Sequence, residues 1–234
     1  DSWRHACGYR SSCRVRQAIG PEPQRVTPSA FESRLIERAR HAGLNLPGDF
    51  TAPAERFYNF LRKWNASTNL TALPLDGYPD GSIDRLLIEP LQAAELVPSD
   101  SARFCVDVGS GGGSPAIPFA IARPSVRMLM VEAVGKKAAF LREAVRLVGL
   151  RSVEVRHARF ENIAPELEQT IDLLLVRGVK LTKDLSRAMR LGLKKNGKLF
   201  AFGASRDTAE FEWRLTDERS LSDGNDLLVS EVAN

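Results

Sequence analysis

The sequence predicts an α/β protein with an open, doubly wound and mostly parallel sheet of about seven strands, preceded by a helical segment. After residue 101, short apolar runs rich in β-branched residues alternate with helical patterns. A glycine-rich turn directly follows the first of these runs, where a strand would pass into a helix. The chain is therefore divided into a tail (1–28), a helical segment (29–100) and a sheet domain (101–234).

Composition and charge are those of an ordinary folded protein. The hydrophobic content of 43% provides a core, and no run approaches the roughly 18 to 20 apolar residues of a spanning helix. The N-terminus has no apolar stretch resembling a signal peptide, so we expect a cytoplasmic protein with no membrane partner. We also expect a monomer. The tail contributes +3 of the formal net charge of +4, so basicity alone is weak evidence for a nucleic-acid partner. We expect the tail to be disordered or an extension of the folded chain.

Cysteine and histidine predict neither a disulfide nor a metal site. Cys7 and Cys13 lie in the polar tail and Cys105 lies inside an apolar run, so we expect three free thiols. The three histidines are far apart and show no ligand spacing with each other or with cysteine.

The helical segment contains two amphipathic patterns, over residues 31–42 and 53–65. The second carries an apolar stripe at i, i+3, i+4 and i+7 that begins at Phe57. A third helix is predicted from residue 83 toward 96. Pro90 must kink it or begin a new segment, because proline removes one backbone donor and clashes with the preceding turn.

The sheet domain contains five runs that we interpret as parallel strands and a final pair that adds edge strands, one of them antiparallel. Helical patterns over residues 136–148 and 184–193 supply crossovers. The predicted parallel strands are residues 103–108, 126–132, 152–157, 171–176 and 198–202, and the final pair is residues 211–215 and 227–232.

Four glycines follow the first strand within the segment 104–115. Glycine permits a tight turn and lets backbone amides approach a ligand closely. Ser114 as N-cap and Pro115 as first helical residue would begin the next helix. Such a turn also occurs without any ligand, so two neighbouring acids carry the interpretation further.

The two acids favour a particular class of ligand. Glu132 closes the second strand 23 positions after Gly109, close to the spacing of a carboxylate that accepts both ribose hydroxyls. Asp107 precedes the first glycine by two residues, where it can meet an ammonium but would oppose a pyrophosphate. This arrangement favours S-adenosylmethionine over a nicotinamide dinucleotide, which remains the alternative.

These segments resemble the bacterial guanine-N7 methyltransferases of small-subunit (16S) ribosomal RNA, the glucose-inhibited division protein B type, over residues 55–203. The resemblance implies a Rossmann-like sheet of the class I methyltransferase type and ribosomal RNA or the small ribosomal subunit as partner. The residues that carry it are Trp64-Asn65, Asn69-Leu70-Thr71, the loop from Asp107 to Pro118, Val131-Glu132, Lys136-Lys137, Phe140-Leu141, Arg159-Phe160-Glu161 and Val176-Arg177.

The resemblance also implies roles for individual residues. Gly109 and Ser114 line the methionine side of the donor, Phe160 and Glu161 flank its adenine, and Arg177 reaches into the site as the candidate catalytic residue. The full candidate set for the donor is Asp107, Gly109, Ser110, Gly111, Gly113, Ser114, Glu132, Phe160, Glu161 and Arg177, and for the substrate it is Asn69, Thr71, Lys136 and Lys137.

Several of these residues also fit ordinary structural roles. Trp64 lies on the apolar stripe and is expected in the core. Lys136 and Lys137 oppose the helix macrodipole, so they either contact a phosphate or belong to a solvated face. Arg177 at a strand end fits an ion-pair partner as well as a functional group.

The acceptor chemistry is constrained by what the sequence lacks. It has no Pro-Cys that would supply a nucleophile for cytosine C5, and Arg177-Gly178-Val179 stands where an amino-group enzyme carries an Asn/Asp-Pro-Pro-aromatic run. Guanine N7 presents a lone pair and no proton to remove, so transfer needs no general base. Catalysis would be mainly positioning.

Two departures from the family pattern bear on the substrate side. The family's His-x-x-Asp-Ser is replaced by the segment from Arg85 to Glu89, and its Lys-Gly after the fifth strand is replaced by Gly203-Ala204, which removes a cation. We expect a substrate-side contact to be missing. A methyltransferase of another RNA or of a small molecule, a nicotinamide-dependent oxidoreductase and a non-catalytic RNA-binding relative remain alternatives.

Overall fold

The protein is described by a computed structural model that covers residues 28–98, 103–203, 212–222 and 224–232. Its centre is one sheet whose strands are β1 (Phe104–Val108), β2 (Arg127–Glu132), β3 (Val153–His157), β4 (Ile171–Arg177), β5 (Leu193–Phe202), β6 (Trp213–Ser220) and β7 (Asp226–Val232). The spatial order is β3-β2-β1-β4-β5-β7-β6. Strands β1 to β5 are parallel, and β7 runs antiparallel between β5 and β6. The predicted fold class is confirmed.

Helices cover both faces of the sheet, which explains why the central strands are apolar throughout. All five residues of β1 are buried, as expected for a parallel strand covered on two sides. The helices are α1 (Ala30–His41), α2 (Thr51–Thr68), α3 (Asp80–Ile83), α4 (Glu89–Glu95), α5 (Ala116–Ala122), α6 (Gly135–Val148), α7 (Phe160–Ile163) and α8 (Lys183–Gly192).

The apolar core has two parts, one on each face of the sheet. Helices α1 to α6 enclose the larger part, in which Phe31, Phe57 and Phe140 are fully buried. Helices α7 and α8 cover the other face, around Phe160 and Met189. The helical segment thus packs onto the sheet through apolar side chains that its sequence periodicity had indicated.

The third helix is interrupted ahead of Pro90 by a single π turn, Asp84–Ile88, between α3 and α4. Pro90 has no N–H, and the N–H of Glu89 bonds the carbonyl of Asp84 instead of that of Arg85. The predicted kink is therefore a π turn. It leaves the carbonyls of Arg85 and Leu86 without their α-helical partners.

Three details differ from the sequence-based expectation. Ser114 is not the N-cap of α5, which begins at Ala116; its hydroxyl donates instead to the carbonyl of Leu86 at 2.8 Å. Strand β5 begins at Leu193 and pairs with β4 through a register shift. The predicted strand at 211–215 continues to Ser220.

Other expectations fall outside the described residues or are tested only within them. The predicted tail and its two cysteines lie outside, apart from Pro28. Cys105 is buried and free. Within the described ranges, no helix combines the length and the apolar character that a membrane span requires, and no three potential metal ligands cluster.

Candidate functional site

The glycine turn bends the chain sharply at the carboxyl end of β1. The N–H groups of Gly109 and Ser110 both donate to the carbonyl of Val131 on β2, at 2.8 and 3.1 Å. Gly109 and Gly111 have φ of +73° and +50°, a region that favours glycine. The turn therefore lies directly beside the end of β2, where Glu132 stands.

Glu132 is tied to this turn by hydrogen bonds at both carboxylate oxygens. Oε2 accepts from the N–H of Gly111 and Oε1 from the N–H of Val134, each at 2.8 Å. The side chain is buried but lines a cavity. Each oxygen keeps a second acceptor position, so the carboxylate can bind a pair of hydroxyl groups from the cavity.

Two cavities share Gly109 as a lining residue. The larger has a volume of about 580 Å³ and lies between the glycine turn, the end of β4 and the loop after α2. The smaller, about 220 Å³, lies beyond Gly109 toward α7. Both lie at the carboxyl edge of the sheet beside β1 and β4, where the strand order reverses and open α/β sheets bind ligands.

The structure brings most of the predicted site residues to these cavities. The larger cavity is lined by Thr71, Gly109, Ser110, Gly111, Ser114, Glu132, Lys137 and Arg177. The smaller is lined by Gly109, Phe160 and Glu161. Four of the predicted residues line neither cavity: Asn69, Asp107, Gly113 and Lys136.

Close packing restricts side chains at three glycines of the turn. A Cβ on Gly113 would lie 2.8 Å from Ile117 Cδ1, beneath the turn, and one on Gly112 would lie 3.1 Å from the carbonyl oxygen of Leu70. At Gly109, a Cβ would lie 2.5 Å from Val179 Cγ2. Val179 lines the smaller cavity, so the segment after β4 packs directly over the glycine turn.

Asp107 is buried beneath the turn. Burial raises the pKa of its carboxyl group to about 7, and the Ser110 hydroxyl and the Arg177 charge partly oppose this rise. Its Oδ2 has no hydrogen-bond partner among the described residues. Asp107 is thus an acid whose charge changes near neutral pH, one layer below the turn.

Arg177, at the end of β4, is held by groups from three elements. Nη1 donates to the carbonyl of Arg85 at 2.5 Å and to Ser114 Oγ at 3.1 Å, and Nη2 donates to the Glu89 carboxylate. The guanidinium lies over the ring of Phe202 at 4.3 Å. Arg177 therefore lines the larger cavity and also forms an ion pair with Glu89.

Arg85 and Glu89 extend this cluster and were not among the predicted site residues. Arg85 lines the larger cavity, and its Nη1 lies 3.2 Å from a Glu89 oxygen. Its Nη2 would lie 3.3 Å from a Cβ on Gly203, at the end of β5. The Arg85 guanidinium therefore lies beside Gly203, one of the two residues that stand in place of the family's Lys-Gly.

Asn65 shapes the loop after α2 that closes the larger cavity. Its Oδ1 accepts from the N–H groups of Leu70 and Thr71 at 2.7 and 3.0 Å, and its Nδ2 donates to the carbonyl of Thr71 at 3.0 Å. Asn69 ends α2 in the left-handed conformation. The Asn spacing in the sequence could have indicated this loop, because such side chains commonly bond nearby backbone groups.

The remaining predicted residues occupy the surface or the core. Lys136 is exposed in the first turn of α6, beside Lys137. Trp64 is half-buried and packs with Phe60 and Phe140, at ring-centroid distances of 5.8 and 5.7 Å. No histidine or cysteine occurs among the described residues that line either cavity. The site is therefore equipped to bind and orient ligands more than to abstract protons.

Comparison with known proteins adds a family match and several relatives. A family model described as rRNA small subunit methyltransferase G (GidB) matches residues 51–232. The proteins named Ribosomal RNA small subunit methyltransferase G from Roseiflexus sp. and Polynucleobacter asymbioticus are 37% and 34% identical to the chain. The first alignment covers 62% of this chain and 61% of the relative, and the second covers 81% and 88%.

Solved structures share the fold at low sequence identity. A methyltransferase from Geobacter sulfurreducens has a TM-score of 0.57 at 20% identity, covering 86% of this chain and 96% of that one. An S-adenosylmethionine-dependent methyltransferase from Aquifex aeolicus has a TM-score of 0.55 at 12% identity, covering 77% and 98%. These similarities concern the architecture of the sheet and its helices.

Proposed function

The chain belongs to the rRNA small subunit methyltransferase G family, and we propose that it transfers a methyl group from S-adenosylmethionine to guanine N7 of 16S ribosomal RNA. Membership in a methyltransferase family decides between the two cofactor alternatives in favour of S-adenosylmethionine. The observation that carries the proposal is the pair of hydrogen bonds that hold Glu132 at the glycine turn, facing the larger cavity.

The residues at the two cavities fit this donor. Glu132 would accept the ribose hydroxyls, and Phe160 and Glu161 would flank adenine in the smaller cavity. Gly109 lines both cavities, and its lack of a Cβ leaves room for Val179, which also lines the smaller cavity. Asp107 lines neither cavity, so when ionised it would act on the ammonium of the methionine part through its charge from beneath the turn, without direct contact.

The acceptor would occupy the remainder of the larger cavity. Its volume of about 580 Å³ exceeds what the methionine part of the donor needs, and Leu61, Leu70 and Leu73 form an apolar wall beside Thr71. A flat base fits such a wall because stacking on apolar surface is favourable. Lys137 at the cavity and the exposed Lys136 would contact the RNA phosphates.

The reaction needs no acid or base from the protein. The sulfonium donor, when bound, supplies an electrophilic methyl group; the bond from that carbon to sulfur breaks as a bond to N7 forms, and the purine ring gains the positive charge. The protein residues hold N7 in line behind the methyl carbon and exclude water, which can contribute about 7 to 11 kcal/mol. Arg177 would orient the base or a phosphate.

The decisive experiment incubates the purified protein with methyl-labelled donor and either free 16S RNA or small ribosomal subunits, and then maps the labelled base. We expect label at guanine N7 of the RNA. Label in a small molecule without RNA would favour the small-molecule alternative, and label on another RNA or position would reassign the acceptor. RNA binding without any label would favour a non-catalytic relative.

We further infer that the protein acts in the cytoplasm, where its substrate is assembled, and that it acts as a monomer. Light scattering during gel filtration, with and without donor, checks the monomer. A dimer at the concentrations used for the activity assay would contradict it.

A further inference from the structure

The π turn before Pro90 supplies two backbone acceptors to the candidate site. In a regular α-helix, the carbonyls of Arg85 and Leu86 would accept from residues 89 and 90. Here the N–H of Glu89 is redirected to Asp84, and Pro90 has none. The two carbonyls accept from Arg177 and Ser114 instead, at 2.5 and 2.8 Å.

Glu89 stands beside these carbonyls and is completely buried. Its carboxylate bonds Arg177 and also lies 3.2 Å from Nη1 of Arg85, one helical turn earlier. Both arginines line the larger cavity, whereas Glu89 does not. The carboxylate therefore lies behind the two guanidinium groups, on the side away from the cavity.

This arrangement fixes the direction in which Arg177 points. The carbonyl of Arg85 and the Glu89 carboxylate hold different Nη atoms, and the ring of Phe202 lies against the guanidinium plane. Two directed acceptors and one stacking surface define both the position and the tilt of a planar group. Fixing Arg177 in this way fits a residue that must hold a ligand in one geometry.

We propose that Glu89 is a positioning residue that acts through Arg177 and sets the orientation in which Arg177 meets the acceptor. The inference rests on the proposed function, because it assigns Arg177 to the methyl-transfer site. Glu89 is completely buried and does not line the cavity, so it would touch neither ligand.

Stability alone does not account for a carboxylate at this position. Burying an ion pair costs desolvation, and replacement by apolar residues is often neutral or stabilising. The same π turn provides a comparison: Asp84 is also buried and accepts from Arg38 Nε at 2.9 Å and Nη2 at 2.5 Å, but it does not line the cavity. Asp84→Asn is therefore a matched control that weakens a buried ion pair away from the site.

The kinetic test compares Glu89→Gln with Asp84→Asn well below their unfolding temperatures. With donor and RNA both saturating, we expect Glu89→Gln to lower kcat by tenfold or more while donor Kd changes less than threefold. Asp84→Asn should keep kcat within twofold of wild type. A similar loss in both variants, or none in Glu89→Gln, would overturn the positioning role.

A double-mutant cycle asks whether Glu89 acts through Arg177. In the Arg177→Ala background, adding Glu89→Gln should lower kcat less than twofold further, because the group it orients is already absent. Additive losses would show that Glu89 acts by another route and would overturn the proposal. If Glu89→Gln does not fold, Glu89→Asp replaces it, because it keeps the charge on a shorter side chain. We expect an intermediate kcat for Glu89→Asp. A wild-type kcat in Glu89→Asp would equally overturn the proposal.

A third readout is independent of activity. The guanidinium NH resonances of Arg177, identified by their loss in Arg177→Lys, should report restricted rotation in the wild type and in Asp84→Asn, and faster rotation in Glu89→Gln. Unchanged rotation in Glu89→Gln would overturn the inference even if the enzyme is active. Restricted rotation in the wild type together with an absence of methyl transfer would instead reject the proposed function and leave the geometry standing.

Discussion

The Glu132 carboxylate accepts the N–H of Gly111 at 2.8 Å, so the end of β2 and the glycine turn are one hydrogen-bonded unit. The second oxygen accepts the N–H of Val134 at the same distance. The side chain that would hold the donor ribose therefore also fixes the turn on which the donor would lie. Its orientation is set before any ligand binds, which reduces the ordering cost of binding.

We predict that Glu132→Gln raises the Kd for S-adenosylmethionine at least tenfold. An amide has one acceptor oxygen in place of two and loses the charge, and hydrogen bonds to charged groups contribute about 1.5 to 3 kcal/mol. Titration calorimetry measures the change. Asp172→Asn is the matched control, since Asp172 also accepts two backbone N–H groups, from Arg103 and Phe104, but at the opposite edge of the sheet. Equal weakening in both variants would contradict the assignment of Glu132.

At Gly109, alanine should disturb the site through Val179 as well as through the backbone. The positive φ strains any Cβ by about 1 to 3 kcal/mol, and that Cβ would lie 2.5 Å from Val179 Cγ2. We expect Gly109→Ala to lower the free energy of unfolding and to raise donor Kd tenfold or more.

Gly149→Ala provides the control for Gly109→Ala. Gly149 ends α6 with φ +84°, and a Cβ there would meet nothing within 4 Å. Both variants should lose stability in urea unfolding, but only Gly109→Ala should lose donor affinity. If the additional change Val179→Ala restores the stability of Gly109→Ala, the contact with Val179 is the cause of the loss. If Gly109→Ala leaves donor affinity unchanged, the proposed role of the turn is refuted.

The buried Asp107 predicts a specific pH dependence of stability. Its pKa is raised from 3.8 to about 7 in the folded state, so the folded protein keeps a proton that the unfolded chain has lost in this interval. The contribution of the neutral Asp107 carboxyl group to the free energy of unfolding is fully present below the pKa of the unfolded chain and is lost as the pH rises through about 7. We expect the wild type to lose free energy of unfolding relative to Asp107→Asn as the pH rises from 4 to 8, as measured by urea unfolding. A constant difference would contradict the raised pKa.

The sheet and the glycine turn could be predicted because their signals are local. Strands β1, β2, β3 and β4 begin and end within one residue of their predicted bounds, since a buried parallel strand is a continuous apolar run. Glu132 was assigned from its spacing after Gly109, which reflects the fixed length of one strand-helix-strand unit. Its hydrogen bonds to the turn follow from that spacing and the parallel register.

The Arg177 cluster could not be predicted because its contacts join distant parts of the chain. Arg177 and Arg85 are 92 positions apart, and no local pattern connects them. Pro90 predicts a break in the helix, but tertiary packing decides which groups donate hydrogen bonds to the freed carbonyls. Ser114 illustrates the same limit: its sequence suits an N-cap, yet its hydroxyl donates to one of these carbonyls, and α5 begins at Ala116.

The exposed Lys136 provides a test that separates RNA binding from helix stability. Lys136 lies in the first turn of α6, where a cation opposes the macrodipole by roughly 0.3 to 1 kcal/mol. Lys136→Ala should therefore keep or slightly raise stability while weakening RNA binding. If Lys136 contacts one phosphate, the slope of log K against log salt should fall by about 1, because one fewer counterion is released.

Lys195→Ala is the matched control for Lys136→Ala, because Lys195 is exposed near the start of β5, at the edge of the sheet away from the cavities. We expect its salt slope to equal that of the wild type. Donor Kd should stay unchanged in both variants, which separates the phosphate contact from the donor site. Equal slopes for Lys136→Ala and wild type would assign Lys136 to an ordinary solvated face and would direct the search for RNA contacts to Lys137, which lines the larger cavity.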